Sequence, residues 1–350
     1  MSERGDSSSG PSRQAWTVGV VVIGRNEGER LKRCIRSVAG EGRRVVYVDS
    51  GSDDGSQAWA REQGVEVIDL DVSIPFTMAR ARNAGWRVLA EGDVEAVQFV
   101  DGDCEVLPGW IELAAATLQA RPEAGAVGGI RRERYPEATI YNRLTDLEWI
   151  RLPGDDVFFL GDVMIRTDAL RRSGGFDEAM IAGEEAELGQ RIRQLGLRLL
   201  QLADPMTLHD MGMTRFRQWW RRATRTGHAY AESAWPRDAT RSRHHARDCV
   251  RAIAWGLAWP AMLAASIALA AVAGGWWGAV PAAVVALPAI NIVRTAWRRR
   301  RGFGTRWRHA FLYATFCLLS KPAHLQGMAT YAWSRARGRR TGLIEYRRLA

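Results

Sequence analysis

Short runs of apolar, often β-branched residues recur through the first two-thirds of the chain, at 18–23, 45–48, 65–70, 97–100, 126–129 and 163–165. Runs of this length bounded by turn residues predict strands buried on both faces. Between them the apolar positions take a helical spacing. Leu31, Cys34, Ile35 and Val38 share one face, a helix begins near Ser56, and others are expected around 78–90, 109–120, 138–149 and 168–173. A further helix opens after Gly183, with Leu188, Ile192 and Leu195 on its inner face, and residues 199–202 form another strand signal. Alternation of this kind predicts an α/β domain over 16–240, with a mostly parallel sheet flanked by helices.

The last third obeys a different pattern. Residues 252–293 are 42 consecutive positions without a charged side chain. As helix they would extend roughly 63 Å, twice the ~30 Å of bilayer hydrocarbon, so an all-α hairpin of two spans is expected, over about 252–273 and 276–293. Gly274-Gly275 and Trp276-Trp277 suit the turn and its interfacial anchor. Arg241, Arg243, Arg247 and Arg251 precede the run, and Arg294 and the arginines at 298–301 follow it. The positive-inside rule then puts both ends, and the α/β domain, on the cytoplasmic face of the inner membrane. A buried helical pair of a soluble protein is the alternative. Residues 309–333 carry Lys321, Pro322 and His324, too polar to span, and suggest an interfacial or re-entrant helix. Residues 1–15 lack an apolar stretch and are expected to be a disordered tail, not a signal peptide.

Charge follows the same division. Residues 241–350 hold 18 of the 49 Lys+Arg and only two acids, Asp248 and Glu345, a net of +16 that leaves −6 for residues 1–240. The positive charge brackets an uncharged run instead of interleaving with aromatics on a soluble face, which argues for a membrane and against a nucleic-acid partner. The four cysteines, Cys34, Cys104, Cys249 and Cys317, are far apart with no CxxC pair, arguing against a zinc ribbon or a disulfide scaffold.

Two predicted strands run directly into acid: 45–48 into Asp49, and 98–100 into Asp101-Gly102-Asp103. In open α/β sheets ligands bind beyond the carboxyl ends of the strands. Two carboxylates one residue apart can share a hard cation, and Mg²⁺ or Mn²⁺ usually takes one or two carboxylates plus substrate phosphates. The turn Gly51-Ser52-Asp53-Asp54-Gly55-Ser56 can bring backbone close to a nucleotide, and Arg80, Arg82 and Asn83 open a helix suited to phosphate. Neither GxGxxG nor a Walker-type lysine loop is present, which disfavours dinucleotide and ATPase chemistry. Glu184, Glu185 and Glu187 open a helix, where the dipole alone explains them; one of them acting as a general base is the functional alternative. His209, after the 199–202 strand, is either structural or a third metal ligand.

Taken together, Val-Ile-Gly-Arg-Asn-Glu (22–27), Val-Asp-Ser-Gly-Ser-Asp-Asp-Gly-Ser (48–56), Ala-Arg-Asn-x-Gly (81–85), Asp-x-Asp (101–103), Gly-Gly-Phe-Asp-Glu (174–178) and Gly-Glu-Glu-x-Glu-Leu (183–188) resemble the family 2 glycosyltransferases over residues 17–235. The resemblance implies a nucleotide-diphospho-sugar-binding α/β fold, a divalent metal, and inverting transfer from a nucleotide-diphosphate donor, most often a UDP-sugar. It assigns Glu27, Asp49 and Asp54 to base and ribose, Arg82 to the diphosphate, Asp101 to ribose and metal, and Asp103 and His209 to metal. The base falls on Glu185, with Glu184 as its rival, because this chain has Glu-Glu where the family usually has Glu-Asp. Gln218-Trp219-Trp220-Arg221-Arg222 is similar to the Gln-x-x-Arg-Trp motif of processive synthases but ends in Arg, so Gln218, Arg221 and Arg222 are expected at the diphosphate, the acceptor or an anionic headgroup. With a membrane region beside the site, the implied acceptor is a lipid-linked glycan for surface polysaccharide. The rivals are a non-catalytic nucleotide-sugar or membrane-surface binding protein on the same fold, and a nucleotidyltransferase, which would share the sheet and paired acids.

Overall fold

In the computed structural model, which describes residues 16–344 other than 41, 157, 237–242, 340 and 343, the apolar runs become the strands they predict. The tail at 1–15, the boundary at 240/241 and Arg241 lie outside the described residues. The chain order is β1 (Val18–Gly24), α1 (Glu29–Val38), β2 (Val45–Asp49), α2 (Ser56–Glu62), β3 (Glu66–Asp69), α3 (Met78–Ala90), β4 (Ala96–Asp101), β5 (Cys104–Val106), α4 (Trp110–Ala120), β6 (Ala124–Glu133) and α5 (Ile140–Trp149). It continues through β7 (Gly154–Asp156), β8 (Val163–Arg166), α6 (Thr167–Ser173), α7 (Glu184–Gln194), β9 (Arg198–His209), α8 (Phe216–Ala234), α9 (Ala246–Ile253), α10 (Trp259–Ala273), α11 (Ala279–Phe303) and α12 (Trp307–Ala336).

The strands form one sheet in the order β3-β2-β1-β4-β8-β6-β9-β5, with β7 beside β9. β1 pairs in parallel with β2 and β4, β2 with β3, and β6 with β9. β8 runs antiparallel between β4 and β6, so the sheet is mixed. A strand buried on both faces has the same sequence signature in either direction, which is why the apolar runs locate β8 without orienting it. Alternate residues of β1 enter opposite layers. Val20 and Val22 pack with Leu31 and Ile35 of α1, while Val21 and Ile23 pack with Leu89 of α3 and Phe99 of β4. Leu31 and Leu89 are fully buried on the two sides, each contributing about 1.5–3 kcal/mol.

This arrangement brings the ends of β1, β2 and β4 together, with Gly24 opposite Asp49 and Ile23 opposite Asp101. Gly85 lets α3 lie close on the sheet, since a Cβ there would sit 2.5 Å from Val21 Cγ1. That approach carries Arg82, one helical turn earlier, over the strand ends.

Two helical segments are long and apolar enough to cross a membrane, Ala246–Ala273 and Gly275–Phe303. Only 6% of the most apolar window of each is buried, so they are not core helices of this chain. The residues between 309 and 333 fall within α12, a continuous helix of 30 residues passing through Pro322. Its reason is a packing partner: α12 crosses α8 in close contact through glycines. A Cβ on Gly327 would meet Thr224 O at 1.9 Å, and one on Gly227 would meet His324 O at 2.2 Å.

Candidate functional site

The centre of the site is Arg82, whose guanidinium is fully buried. Its Nη2 donates to Asp101 Oδ1 at 2.9 Å, and its Nη1 to Glu184 Oε1 at 2.8 Å and Glu185 Oε1 at 3.2 Å. One side chain on α3 thus joins the end of β4 to the start of α7. Asn83 fixes the approach of α7: its Nδ2 donates to Phe176 O and its Oδ1 accepts from Phe176 N, at 2.8 and 2.9 Å. The 81–85 motif and the 174–178 turn are therefore two halves of one contact. Gly161 completes it, since a Cβ there would lie 2.5 Å from Arg82 Nη2 and 2.8 Å from Asp101 Oδ2.

Charge separates the carboxylates. Burial raises the Asp101 carboxyl, but the Arg82 and Arg131 guanidiniums outweigh it and hold the group at about 2. Burial, reinforced by the negative charge of Glu185 and opposed by Arg82, pushes Glu184 up to about 7. Glu184 is fully buried, and its Oε2 has no hydrogen-bond partner among the described residues. The Glu185 side chain keeps 19% exposure and is the more open of the two.

Asp103 and His209 form the second part of the site. β5 pairs with β9 so that Cys104 lies opposite His209, bringing Asp103 Oδ2 to 3.0 Å from His209 Nε2. Both side chains are buried. Burial lowers the imidazole's proton affinity, so the ring is neutral at pH 7. Its Nδ1 faces Glu133 Oε2 at 3.6 Å, and Trp149 packs against the ring edge at 4.5 Å. A proton on Nδ1 toward Glu133 leaves the Nε2 lone pair facing a carboxylate oxygen. Two acceptors that close require a cation or a proton, and a hard O/N donor pair suits Mg²⁺ or Mn²⁺. Cys104 also lies within this cluster, and burial raises its thiol well above the usual range.

The remaining expected residues take other positions. Asp49 lies beneath its turn, fully buried, accepting from Tyr47 Oη, the amides of Gly51 and Ser52, Ser52 Oγ and Gln57 Nε2. Asp54 accepts from Gly28 N at 2.9 Å and Ser56 N at 3.1 Å, tying the loops after β1 and β2. Glu27 pairs with Arg30 at 2.9 Å and lies near Gly102. Gln218 accepts from the amides of Thr214 and Arg215 and so caps α8. Arg222 pairs with Glu148 of α5 at 2.6 Å, and Arg221 is half-buried on α8. Asp101, Asp103, Glu184, Glu185, Arg82 and His209 converge; Gln218 and Arg222 belong to the junction of α8 with its neighbours.

Several residues escaped the sequence. Arg131 pairs with Asp162 at 2.8 Å and Asp101 at 3.3 Å, while its guanidinium lies over Trp149. Asp162 in turn accepts from Asp101 N and Thr207 Oγ1. The stretch 130–134 is polar and looks like a loop, yet β6 continues through it. The missed signal is period two: Arg131 and Glu133 are buried while Arg132 between them is exposed.

A mixed α/β sheet whose strand ends gather carboxylates, a histidine and a buried arginine over the 101–103 acids defines a nucleotide-diphospho-sugar transferase type of domain. Residues 19–172 match the model of glycosyl transferase family 2. The chain is 30% identical over 226 residues to the pre-mycofactocin glycosyltransferase of Mycobacterium tuberculosis, covering 60% of this chain and 46% of that protein. It is 24% identical over 205 residues to glycosyltransferase AglE of Haloferax volcanii, covering 55% and 66%. The chain thus spans only part of the length of these relatives. In fold it is similar to mannosyltransferase PcManGT of Pyrobaculum calidifontis, solved with GDP-mannose and Mn²⁺, with a TM-score of 0.59, 20% identity and coverage of 92% and 89%.

Proposed function

We propose that the chain is a membrane-associated, inverting glycosyltransferase that moves a sugar from a nucleotide-diphosphate donor to a hydroxyl acceptor. The observation that carries this reading is the buried Arg82, which joins Asp101 to Glu184 and Glu185 beside the Asp103–His209 pair. Asp103, His209 and Asp101 would hold Mg²⁺ or Mn²⁺, which supplies charge neutralisation to the departing diphosphate. Arg82 draws the carboxylates of α7 toward the donor side of the cleft and keeps Asp101 ionised. Glu185 is the general base that takes the acceptor's hydroxyl proton, because it is the exposed member of its pair. Glu184, buried and bonded to Arg82, orients the guanidinium instead. Glu27, Asp54 and the turn built on Asp49 line the nucleotide end.

The α/β unit over 16–240 is the catalytic domain and 241–350 its basic membrane region, with the spans at Ala246–Ala273 and Gly275–Phe303. The arginines at both ends of the hairpin favour the inner membrane with the catalytic domain on the cytoplasmic face. A cleft held beside the bilayer favours a lipid-linked glycan acceptor, with a UDP-sugar as donor and a role in surface polysaccharide synthesis. Retention of both metal-site acids and an exposed Glu185 disfavours the non-catalytic alternative.

The test is a donor screen on membranes containing the protein, with Mn²⁺ or Mg²⁺ and with or without extracted lipid acceptor. The expected result is metal-dependent release of nucleoside diphosphate, stimulated by lipid. Absence of release with every donor and either metal would contradict the activity, and transfer confined to soluble acceptors would contradict the acceptor assignment.

A further inference from the structure

The four arginines at 298–301 differ sharply in surroundings: Arg298, Arg300 and Arg301 are exposed, whereas Arg299 is buried. Arg299 leaves the end of the apolar hairpin and donates through Nη2 to the carbonyl of Leu147 in α5. Its guanidinium is flanked by the rings of Phe303 and Tyr313, at 4.1 and 4.9 Å. Leu147 O is one of the last-turn carbonyls of α5, which have no partner inside the helix and sit at its negative end. A buried cation from a distant helix therefore caps α5.

What α5 carries makes that cap consequential. Asp146 accepts from Glu133 N at 3.1 Å and from Arg132 Nε at 2.7 Å, and Asn142 Nδ2 donates to Glu133 Oε1 at 3.2 Å. Glu133 is the carboxylate facing His209 Nδ1. Trp149, the last residue of α5, packs on the His209 ring and under Arg131. Both groups that surround His209 on the side away from Asp103 are thus set by α5, and the end of α5 is held by the membrane hairpin.

We propose that Arg299 is a positioning residue which, acting through the end of α5, sets Trp149 and Glu133 against His209 and so tunes the metal site from the membrane region. This rests on the metal reading given above. Outer partners of a metal-binding histidine fix its tautomer and orientation, and their loss commonly weakens metal affinity tenfold or more. Arg299→Met removes the cap and leaves Leu147 O unsatisfied; Arg299→Lys keeps the charge and one donor.

The experiment is a Mn²⁺ titration of the full chain in detergent, reading free Mn²⁺ by electron paramagnetic resonance. Arg299→Met is expected to weaken binding about tenfold and Arg299→Lys about threefold. Arg301→Met, altering an exposed neighbour, is expected to bind as the wild type does. In turnover assays the Met variant should need more Mn²⁺ yet approach the wild-type kcat at saturation. A folded Arg299→Met variant with wild-type Mn²⁺ affinity would overturn the proposal. If that variant does not fold, unchanged affinity in Arg299→Lys overturns it equally. A wild-type chain that binds no Mn²⁺ would overturn the metal reading itself, a different failure.

Discussion

At the scale of single residues, two adjacent glutamates differ in exposure, Glu184 being fully buried and Glu185 partly open. Glu185→Gln should lower turnover about 10²–10⁴-fold, with donor binding retained by calorimetry, because it removes a proton acceptor and little else. A loss of donor binding with turnover per bound donor intact would reassign the residue. Glu184 yields a stability prediction. Unfolded, its carboxyl titrates at the ordinary 4.5; folded, at about 7. Between those values the native state holds a proton that the unfolded chain has released, so this group's contribution to stability is full below about 4.5 and is lost as pH rises through about 7. Glu184→Gln, which still accepts from Arg82, should flatten that part of the pH–stability curve in thermal unfolding. An unchanged slope would show that the proton is elsewhere. Gly161→Ala forces a methyl into Arg82 and Asp101 and should cut activity while leaving the circular dichroism spectrum intact.

Elements explain why some of this was legible beforehand and some was not. The acids at the ends of β2 and β4 could be placed because an apolar strand aims whatever follows it at one rim of the sheet. The arginine and asparagine of 81–85 and the turn at 174–178 were visible as motifs, but their contact through Asn83 was not, since nothing local links α3 to a segment some ninety residues later. Arg131 and Glu133 were lost because β6 outruns its apolar part, with register shifts against β9. Likewise β5, only three residues long, gives no periodic signal, yet it is what brings Asp103 to His209. The α8–α12 crossing gives its own test. Gly327→Leu must push α12 off α8, a strain of about 1–3 kcal/mol or more, and should lower the melting temperature. No change would mean that the two helices are not in contact.

At the scale of the whole molecule, an α/β domain rich in acid is joined to a basic, apolar hairpin whose most apolar windows are only 6% buried among the described residues. Hairpin insertion predicts that the chain stays in the pellet after alkaline carbonate washing of membranes, whereas a peripheral protein would be released. The division in charge and hydropathy was plain from the sequence; the close packing of α12 on α8 was not, because its glycines act only against the particular backbone opposite them.

The central claim is that Asp103 on one side and Glu185 on the other serve one reaction in one cleft. Its most direct measurement is a comparison of donor turnover by Asp103→Ala, Glu185→Gln and the double variant. Groups acting as a unit are strongly non-additive, so the double variant should be no slower than the worse single one by more than a few-fold. Losses that multiply in full would mean two independent sites and would contradict the account.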